Sequence, residues 1–337
     1  MKKYFIVSIL IFLIIGFSQW GYSQKKVKHF VFFSRDRELI HNPTFFTNNG
    51  ISGAQITYSW KQLENQKDVY DFTEIEEDLA FLKSKGKKLF VQLQDVTFDI
   101  TRYAVPKYIL TDTVYHGGAN SQYELTKNNN YIKAGWVARR WDKNVAQRYH
   151  KLLIRLAKQF DGRIEGINLP ETSVEFPKQK GLLPQGFSRN NNLEAIKENM
   201  LIIRKNFKKS IPIQYANFMP EDSHKDLKKI YDYAKKIKVG MGGPDIKVYK
   251  KFQMENSYPL LRSMAGIAPT GVAVQEGNYN EINPKTGKQV TVAEILDFAK
   301  NYLKLDYIFW GTEEPFYSKQ VLPLLQSQKI NNKGFDS

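Results

Sequence analysis

Two glutamates, each placed where an apolar stretch of chain ends, have the residue type and position to do chemistry. Glu171 ends the stretch that begins at Arg163, and Glu276 ends the stretch that begins at Gly271. A pair of carboxylates is what glycoside hydrolysis requires, because one protonates the leaving oxygen while the other attacks the anomeric carbon; they lie about 5–5.5 Å apart when configuration is retained. A lone acidic residue is more often a solvated charge, but two at matching positions favour one shared site.

Eight apolar stretches alternate with helical patterns and would position these glutamates. This alternation predicts a parallel sheet, and eight units favour a closed (β/α)8 TIM barrel over the alternative, an open doubly wound α/β sheet. Glu171 then ends the fourth strand and Glu276 the seventh, at the rim where barrel enzymes hold their active sites. We expect one barrel domain over residues 25–326 and a tail over 327–337, with strands at 29–34, 53–60, 88–94, 163–171, 211–217, 237–243, 271–276 and 307–311.

The sequence also predicts two helix N-termini and one long loop. Thr73 and Glu76 are spaced as a capping box, and Asp142 is placed to cap the next long helix. Residues 95–140 have no clear periodicity and are rich in tyrosine. A loop of this length inside a compact domain is usually functional.

The first 24 residues predict a signal peptide. Lys2 and Lys3 precede an apolar run over 5–17, which is shorter than the ~20 residues of a membrane-spanning helix. We therefore expect an exported protein, periplasmic or secreted, cleaved near residue 24 and without a stable membrane anchor. The chain has no cysteine, which excludes a disulfide framework and a cysteine-linked lipid.

The formal net charge is +16. A solvated coat of lysines on helices accounts for it; the alternative is attraction to an anionic polymer, such as a sulfated or uronic polysaccharide. A nucleic-acid partner is not expected, because zinc-finger, RNP and recognition-helix signatures are absent from the sequence. We expect a monomer.

Neither a metal nor a cofactor is expected. The five histidines have no ligand spacing, and no Gly-x-Gly-x-x-Gly follows the first strand. Gly240, Gly242 and Gly243 imitate a phosphate loop but lack its lysine and serine. No Gly-x-Ser-x-Gly elbow indicates a serine hydrolase.

Aromatic and polar residues near the predicted strand ends are candidate substrate contacts. Flat rings can stack on sugar faces, although core packing is an equal alternative for most of them. Polar side chains can bind hydroxyl groups, and an arginine can bind a carboxylate or sulfate, although an ion pair within the protein is the alternative for it. The candidates are Trp60, Trp141, Tyr279 and Trp310 for stacking, and Arg35, Gln94 and Asn217 for polar contacts.

The chain resembles the retaining TIM-barrel glycoside hydrolases, the superfamily of cellulases, β-galactosidases and β-agarases. The segment 60–73 is similar to the one after strand two in β-galactosidase-like members, and 140–172 is similar to their approach to strand four. The resemblance covers most of residues 29–326. It implies that Glu171 is the acid/base and Glu276 the nucleophile of a β-linkage hydrolase.

One residue departs from the family pattern. Pro170 stands where most members place an asparagine before the acid, and Asn168 lies nearby. Either another residue binds the sugar 2-hydroxyl, or the acid lies elsewhere, with Glu175 as the nearest substitute and Glu313 or Glu314 as rival partners. We expect an exported, cofactor-independent retaining glycoside hydrolase acting on a polysaccharide or oligosaccharide. The alternatives are a non-catalytic carbohydrate-binding barrel and a polyanion-binding surface protein.

Overall fold

The fold is a closed barrel of eight parallel strands. The computed structural model describes residues 26–126, 128–177 and 183–333, so the predicted signal peptide lies outside the described residues. Helices connect the barrel strands, which confirms the predicted (β/α)8 architecture and excludes an open doubly wound sheet.

The strands of the described residues form two sheets, the barrel and a smaller sheet of three strands. The barrel closes in the order β1-β2-β3-β7-β8-β9-β10-β11, and β11 pairs with β1. The remaining three strands form an antiparallel sheet in the order β4-β6-β5. In chain order the strands are β1 (Lys28–Phe32), β2 (Gly53–Ser59), β3 (Lys88–Gln94), β4 (Val96–Thr97), β5 (Ala119–Leu125), β6 (Tyr131–Ala138), β7 (Gly166–Leu169), β8 (Ile211–Tyr215), β9 (Gly240–Gly243), β10 (Thr270–Val274) and β11 (Tyr307–Gly311).

The helices surround the barrel. They are α1 (Pro43–Phe46), α2 (Trp60–Leu63), α3 (Thr73–Ser84), α4 (Lys107–Thr111), α5 (Lys143–Phe160), α6 (Arg189–Asn206), α7 (His224–Ile237), α8 (Lys251–Glu255), α9 (Ser257–Arg262), α10 (Val292–Asp297) and α11 (Leu322–Lys333). π-helical turns follow α10 and precede α11. Because α11 continues to Lys333, it passes the predicted domain boundary at residue 326. Among the described residues, no helix has the length and apolar character needed to cross a membrane.

The two predicted helix starts have different outcomes. Asp142 caps α5, since its carboxylate accepts from the backbone N–H groups of Asn144 and Val145 at 2.9 and 3.1 Å. The Thr73 capping box is wrong: Thr73 is already the first residue of α3, and its N–H donates to Asp71 at 3.0 Å. Asp71 therefore binds the N–H that opens this helix.

The barrel interior is filled by aromatic rings that face positions without side chains. Phe30, Phe90, Tyr307 and Phe309 pack with ring centroids 5.0–6.3 Å apart. A Cβ on Gly166 would lie 2.3 Å from the Phe90 ring. Glycine-rich strands thus make room for large rings, which alternate with small residues in a close-packed core.

The glycines of β9 have the same function. A Cβ on Gly242 would lie 1.9 Å from the carbonyl oxygen of Gly271 and 2.9 Å from the Tyr215 ring. Close approach of two strands and a ring therefore requires glycine at this position. The glycine run after residue 239 is a packing feature of the barrel.

The segment between β3 and α5 holds the second sheet. The sequence predicted a long loop here, because residues 95–140 lack clear periodicity. In the structure β5 is mostly polar, and its pairing with β6 shifts register between Gln122 and Tyr123. One face of this sheet is buried: Val96 and Val137 pack against Val174 and Phe176 of the β7–α6 loop. Tertiary contact, which local periodicity does not reveal, stabilises the sheet.

Candidate active site

The carboxyl ends of the barrel strands surround a cleft of about 690 Å³. Residues from or just after all eight barrel strands line it, and β8 contributes Tyr215. Glu171 and Glu276 both line this cleft. The strand register predicted from sequence therefore brings two glutamates, 105 positions apart in the chain, to one cavity.

The backbone around Glu171 is fixed by buried side chains. The Arg140 guanidinium donates to the Glu171 carbonyl oxygen at 2.9 Å. The Gln214 amide donates to the Pro170 carbonyl oxygen at 2.6 Å. Pro170 itself lines the cleft, and Asn168 lies below it with no exposed surface. Two buried donors thus hold the turn that carries Glu171 after strand β7.

Arg140 is in turn held by Asp95. Its Nε and Nη2 atoms donate to the two carboxylate oxygens of Asp95 at 2.8 and 2.5 Å. Both side chains are almost completely buried. A bidentate pair of this kind has fixed geometry, and loss of either partner leaves a buried charge without compensation. The pair joins the end of β3 to the segment before α5.

The carboxyl group of Glu171 has an unusual proton affinity. Burial, together with the negative charge of Asp245, raises its pKa from 4.5 to about 7, against a hydrogen bond from Asn217 and the positive charge of Arg140, which lower it. A carboxylic acid with a pKa near neutrality holds its proton for a large part of the time at pH 7. This is the property required of a general acid.

Glu276 lies in a different environment. It is exposed at the cleft, two residues beyond the end of β10, and within the described residues its carboxylate makes no hydrogen bond or ion pair. The next residue, Gly277, has φ +86°, which favours glycine. Glu313 accepts from the Gly277 N–H at 2.8 Å and from the Asn280 side chain at 2.7 Å, so the loop is held while the Glu276 side chain stays available.

The three predicted polar contacts lie at or beside the cleft. Gln94 lines it and accepts a hydrogen bond from Arg35 at 2.7 Å. Arg35 is exposed at the edge, where burial of part of its guanidinium and the nearby Arg102 lower its pKa. Asn217 lies close enough to Glu171 for its side chain to lower the pKa of that carboxyl group.

Three of the four predicted stacking rings are buried away from the cleft. Trp60 has no exposed surface, donates to Glu64 at 2.8 Å and packs against Tyr149. Tyr279 is 1 % exposed, and its hydroxyl donates to the Gly311 carbonyl at 3.0 Å. Trp310 also has no exposed surface. These rings pack the fold and present no face to a sugar, which corrects the expectation that they stack on substrate.

Strand alternation explains the position of Trp310. Phe309 belongs to the interior cluster of the barrel, and Gly311 lines the cleft, so the intervening residue faces the helices. There the Trp310 indole donates to His29 at 3.2 Å. The sequence did not reveal this face because both faces of β11 are apolar.

Trp141 is half-buried and is not among the residues that line the cleft. Its ring packs edge-on against Phe176 and Phe187, with centroids 5.6 and 5.0 Å away, and its indole donates to the Gln185 carbonyl at 3.3 Å. It stabilises the β7–α6 loop.

Sequence reasoning overlooked Asp245. It follows β9 closely, in the segment Gly242-Gly243-Pro244-Asp245, and its charge acts on Glu171. The signal was present, since Asp245 follows an apolar strand just as Glu171 and Glu276 do. Of the rival acids, Glu313 and Glu314 line the cleft, whereas Glu175 is exposed outside its lining.

The charge of the cleft is opposite to that of the chain. Five acidic residues line it, and within the described part of the chain its lining includes neither lysine, arginine nor histidine. The residues that the structure describes contain no group of three or more His, Cys, Asp or Glu arranged to hold a metal ion. The acids are Asp36, Glu171, Glu276, Glu313 and Glu314.

Comparison with solved structures finds a similar fold in several proteins. The catalytic domain of a β-amylase from Paenibacillus polymyxa aligns with TM-score 0.54 at 9% identity, covering 86% of this chain and 92% of that one. Xylanase 10B from Thermotoga petrophila RKU-1 aligns with TM-score 0.54 at 11% identity, covering 90% and 95%. Endo-glycoceramidase II from Rhodococcus sp. aligns with TM-score 0.54 at 10% identity, covering 89% and 78%.

The chain has the barrel fold of these glycoside hydrolases. No protein-family model matches the sequence. The search of curated proteins gives no match either. At identities near 10% the likeness establishes the (β/α)8 fold, and the chemistry must be argued from the cleft itself.

Proposed function

We propose that this chain is an exported glycoside hydrolase that cleaves a β-linked polysaccharide or oligosaccharide with retention of configuration. The observation that carries the proposal is the unequal pair in one cleft: Glu171 with its pKa raised to about 7, and Glu276 exposed and without a partner among the described residues. Two carboxyl groups in different environments can divide the roles of acid and nucleophile.

The reaction would proceed in two displacements. A carboxylate oxygen of Glu276 attacks the anomeric carbon while the bond to the leaving oxygen breaks, and the Glu171 proton moves to that oxygen. Glu171, now ionised, then takes a proton from water, whose oxygen attacks the same carbon and releases Glu276. The second inversion restores the original configuration, and the reaction requires no cofactor.

The charge of the cleft favours a neutral sugar at the reacting carbon. Five acidic residues and no cationic side chain line the cleft within the described residues, so a uronate or sulfate group there would be repelled. Arg35 lies at the edge, where an anionic substituent of a longer substrate could bind. Export, cleavage near residue 24 and a monomeric state stay predictions.

The test compares three glutamine variants on a panel of β-linked glycans. Glu171→Gln and Glu276→Gln should each lower kcat by about 10²-fold or more, since each removes one participant in bond cleavage. Glu175→Gln is the matched control, because Glu175 is a nearby exposed glutamate outside the cleft lining. Undiminished turnover by Glu276→Gln would remove it as the nucleophile.

Two further outcomes separate the parts of the proposal. The anomeric configuration of the first product, followed by NMR during turnover, should match that of the substrate; inversion would overturn the retaining mechanism. Glycan binding without sugar release, equal in wild type and both cleft variants, would favour the non-catalytic carbohydrate-binding barrel instead.

A further inference from the structure

A group of exposed apolar side chains lies at the strand-three side of the cleft. Phe98 is 57% exposed, Ile100 54% and Tyr103 37%. Tyr103 stacks on the half-buried Trp136, with ring centroids 4.2 Å apart. Single exposed apolar residues are normal, but a contiguous group of them indicates a binding surface. We name Phe98, Ile100, Tyr103 and Trp136 the aromatic rim.

The aromatic rim is held by a tight turn. The Thr97 hydroxyl oxygen lies 3.1 Å from the carbonyl oxygen of Asp99 and 2.9 Å from that of Arg102, and it accepts from the Trp136 N–H at 3.2 Å. The Trp136 indole donates to the Ile100 carbonyl at 2.8 Å. These bonds fix the backbone of the turn and the Trp136 ring, on which Tyr103 stacks, and this reduces the entropy lost when the surface binds a ligand.

The aromatic rim is continuous with the cleft. Phe98 lines the cleft together with Val96 and Gln94, while Ile100 and Tyr103 extend from it along the same turn. We infer that the aromatic rim binds sugar units of a polysaccharide on the strand-three side of the bond to be cleaved. This inference rests on the proposed function and makes a polymer the preferred substrate.

The chemistry of the surface matches a glycan chain. A pyranose ring has apolar faces and polar edges, and the aromatic rim places rings beside side chains that can bond hydroxyl groups. Asp99 and Arg102 form an ion pair at 3.0 Å on the same turn. The positive charge of Arg102 lowers the pKa of the nearby Arg35. A lipid surface would require a wider apolar area than this turn offers.

The experiment measures polymer binding in the background of Glu276→Gln, so that hydrolysis does not consume the ligand. Affinity electrophoresis in gels that contain soluble xylan, mixed-linkage β-glucan or agarose compares Phe98→Ala and Tyr103→Ala with Ile132→Ala. Ile132 is a matched control, because it is 51% exposed on β6 near the far end of the same sheet.

For the polymer that the parent binds most tightly, the Phe98→Ala/Tyr103→Ala double variant should weaken binding about tenfold or more, and Ile132→Ala less than about twofold. The unfolding midpoints of all variants should equal that of the parent, and Phe98→Trp should retain polymer binding. These two results would exclude a change of fold as the cause of weaker binding. Binding within twofold of the parent in the double variant, an equal loss in Ile132→Ala, or no binding of any polymer by the parent would overturn the inference.

The two proposals fail in different ways. If wild type releases no sugar but polymer binding depends on Phe98 and Tyr103, the hydrolase proposal fails and the binding surface stands. If wild type hydrolyses glycans but polymer binding is unchanged by substitution of Phe98 and Tyr103, the aromatic rim is not a binding site and the hydrolase proposal stands.

Discussion

Glu313 accepts a hydrogen bond from the backbone N–H of Gly277 at 2.8 Å, which ties the end of strand β11 to the loop that carries Glu276. The other Glu313 oxygen accepts from Asn280 at 2.7 Å. The carboxylate is therefore used to shape its neighbour's loop. Glu313 is better placed to position the proposed nucleophile than to replace it.

Glu313→Ala should lower kcat about tenfold, because the Glu276 loop loses two hydrogen bonds that fix it. In the Glu276→Gln background the same change should have little further effect, since residues that act through one another are not additive. A double-mutant cycle on kcat measures this coupling. Glu281→Ala is the control, because Glu281 belongs to the same loop but pairs with Lys250 outside the cleft lining; additive losses would show that Glu313 acts independently.

The pH dependence of kcat/KM should report the Glu171 proton. With a pKa of about 7, Glu171 is protonated below neutrality, so activity should fall as pH rises through about 7. Asp245→Asn removes a negative charge that raises this pKa, so the descending limb should move to lower pH. The amide oxygen of asparagine can still accept the Asn278 hydrogen bond that Asp245 accepts at 2.9 Å.

Asp232→Asn is the control for this shift, because Asp232 is half exposed on α7 and pairs with Lys228. An identical pH profile for wild type and Asp245→Asn would contradict the assigned role of Asp245. A descending limb that persists in Glu171→Gln would assign the titration to another group.

Arg140→Ala should destabilise the fold by about 3–5 kcal/mol, because Asp95 then remains charged and buried without its partner. Urea unfolding measures this cost. Arg163→Ala should cost less than about 1 kcal/mol, since its ion pair with Glu76 is half exposed. An equal loss of unfolding free energy in the two variants would show that burial of the Arg140–Asp95 pair does not determine its contribution to stability.

Glu165 closes the opposite end of the barrel and should make stability depend on pH. Its side chain is 8% exposed and accepts from Lys28 at 2.7 Å, Lys88 at 2.6 Å and Tyr307 at 2.9 Å. Burial alone would raise its pKa, but these hydrogen bonds together with the charge of Lys28 lower the pKa below its ordinary value.

Because the folded pKa is the lower one, the stabilisation is present above the unfolded pKa of about 4.3 and is lost as pH falls through the folded value. Glu165→Gln should therefore cost about 1.5–3 kcal/mol at pH 7 and progressively less in acid. Unfolding free energies at several pH values test this. Glu38→Gln is the control: the Glu38 side chain is 80% exposed, so this variant should lose no stability that depends on pH. A loss of unfolding free energy in Glu165→Gln that increases as pH falls would contradict the lowered pKa of Glu165.

The sequence predicted the barrel because strand–helix alternation is a local signal repeated eight times. It also predicted which glutamates share the cleft, since the carboxyl ends of parallel strands meet at one rim. The Asp142 cap followed in the same way from residue type and position. Each of these features depends on residues that are near one another in the chain or on a rule that applies to every strand.

Only the tertiary structure decided which way the buried rings face. Parallel barrel strands are apolar on both faces, so Trp310 and its neighbour Phe309 look alike in sequence although one packs outward and the other inward. The sheet of β4, β5 and β6, the proton affinity of Glu171 and the aromatic rim depend on contacts between distant segments. Burial and charge at a residue are set by what packs against it, and those partners come from elsewhere in the chain.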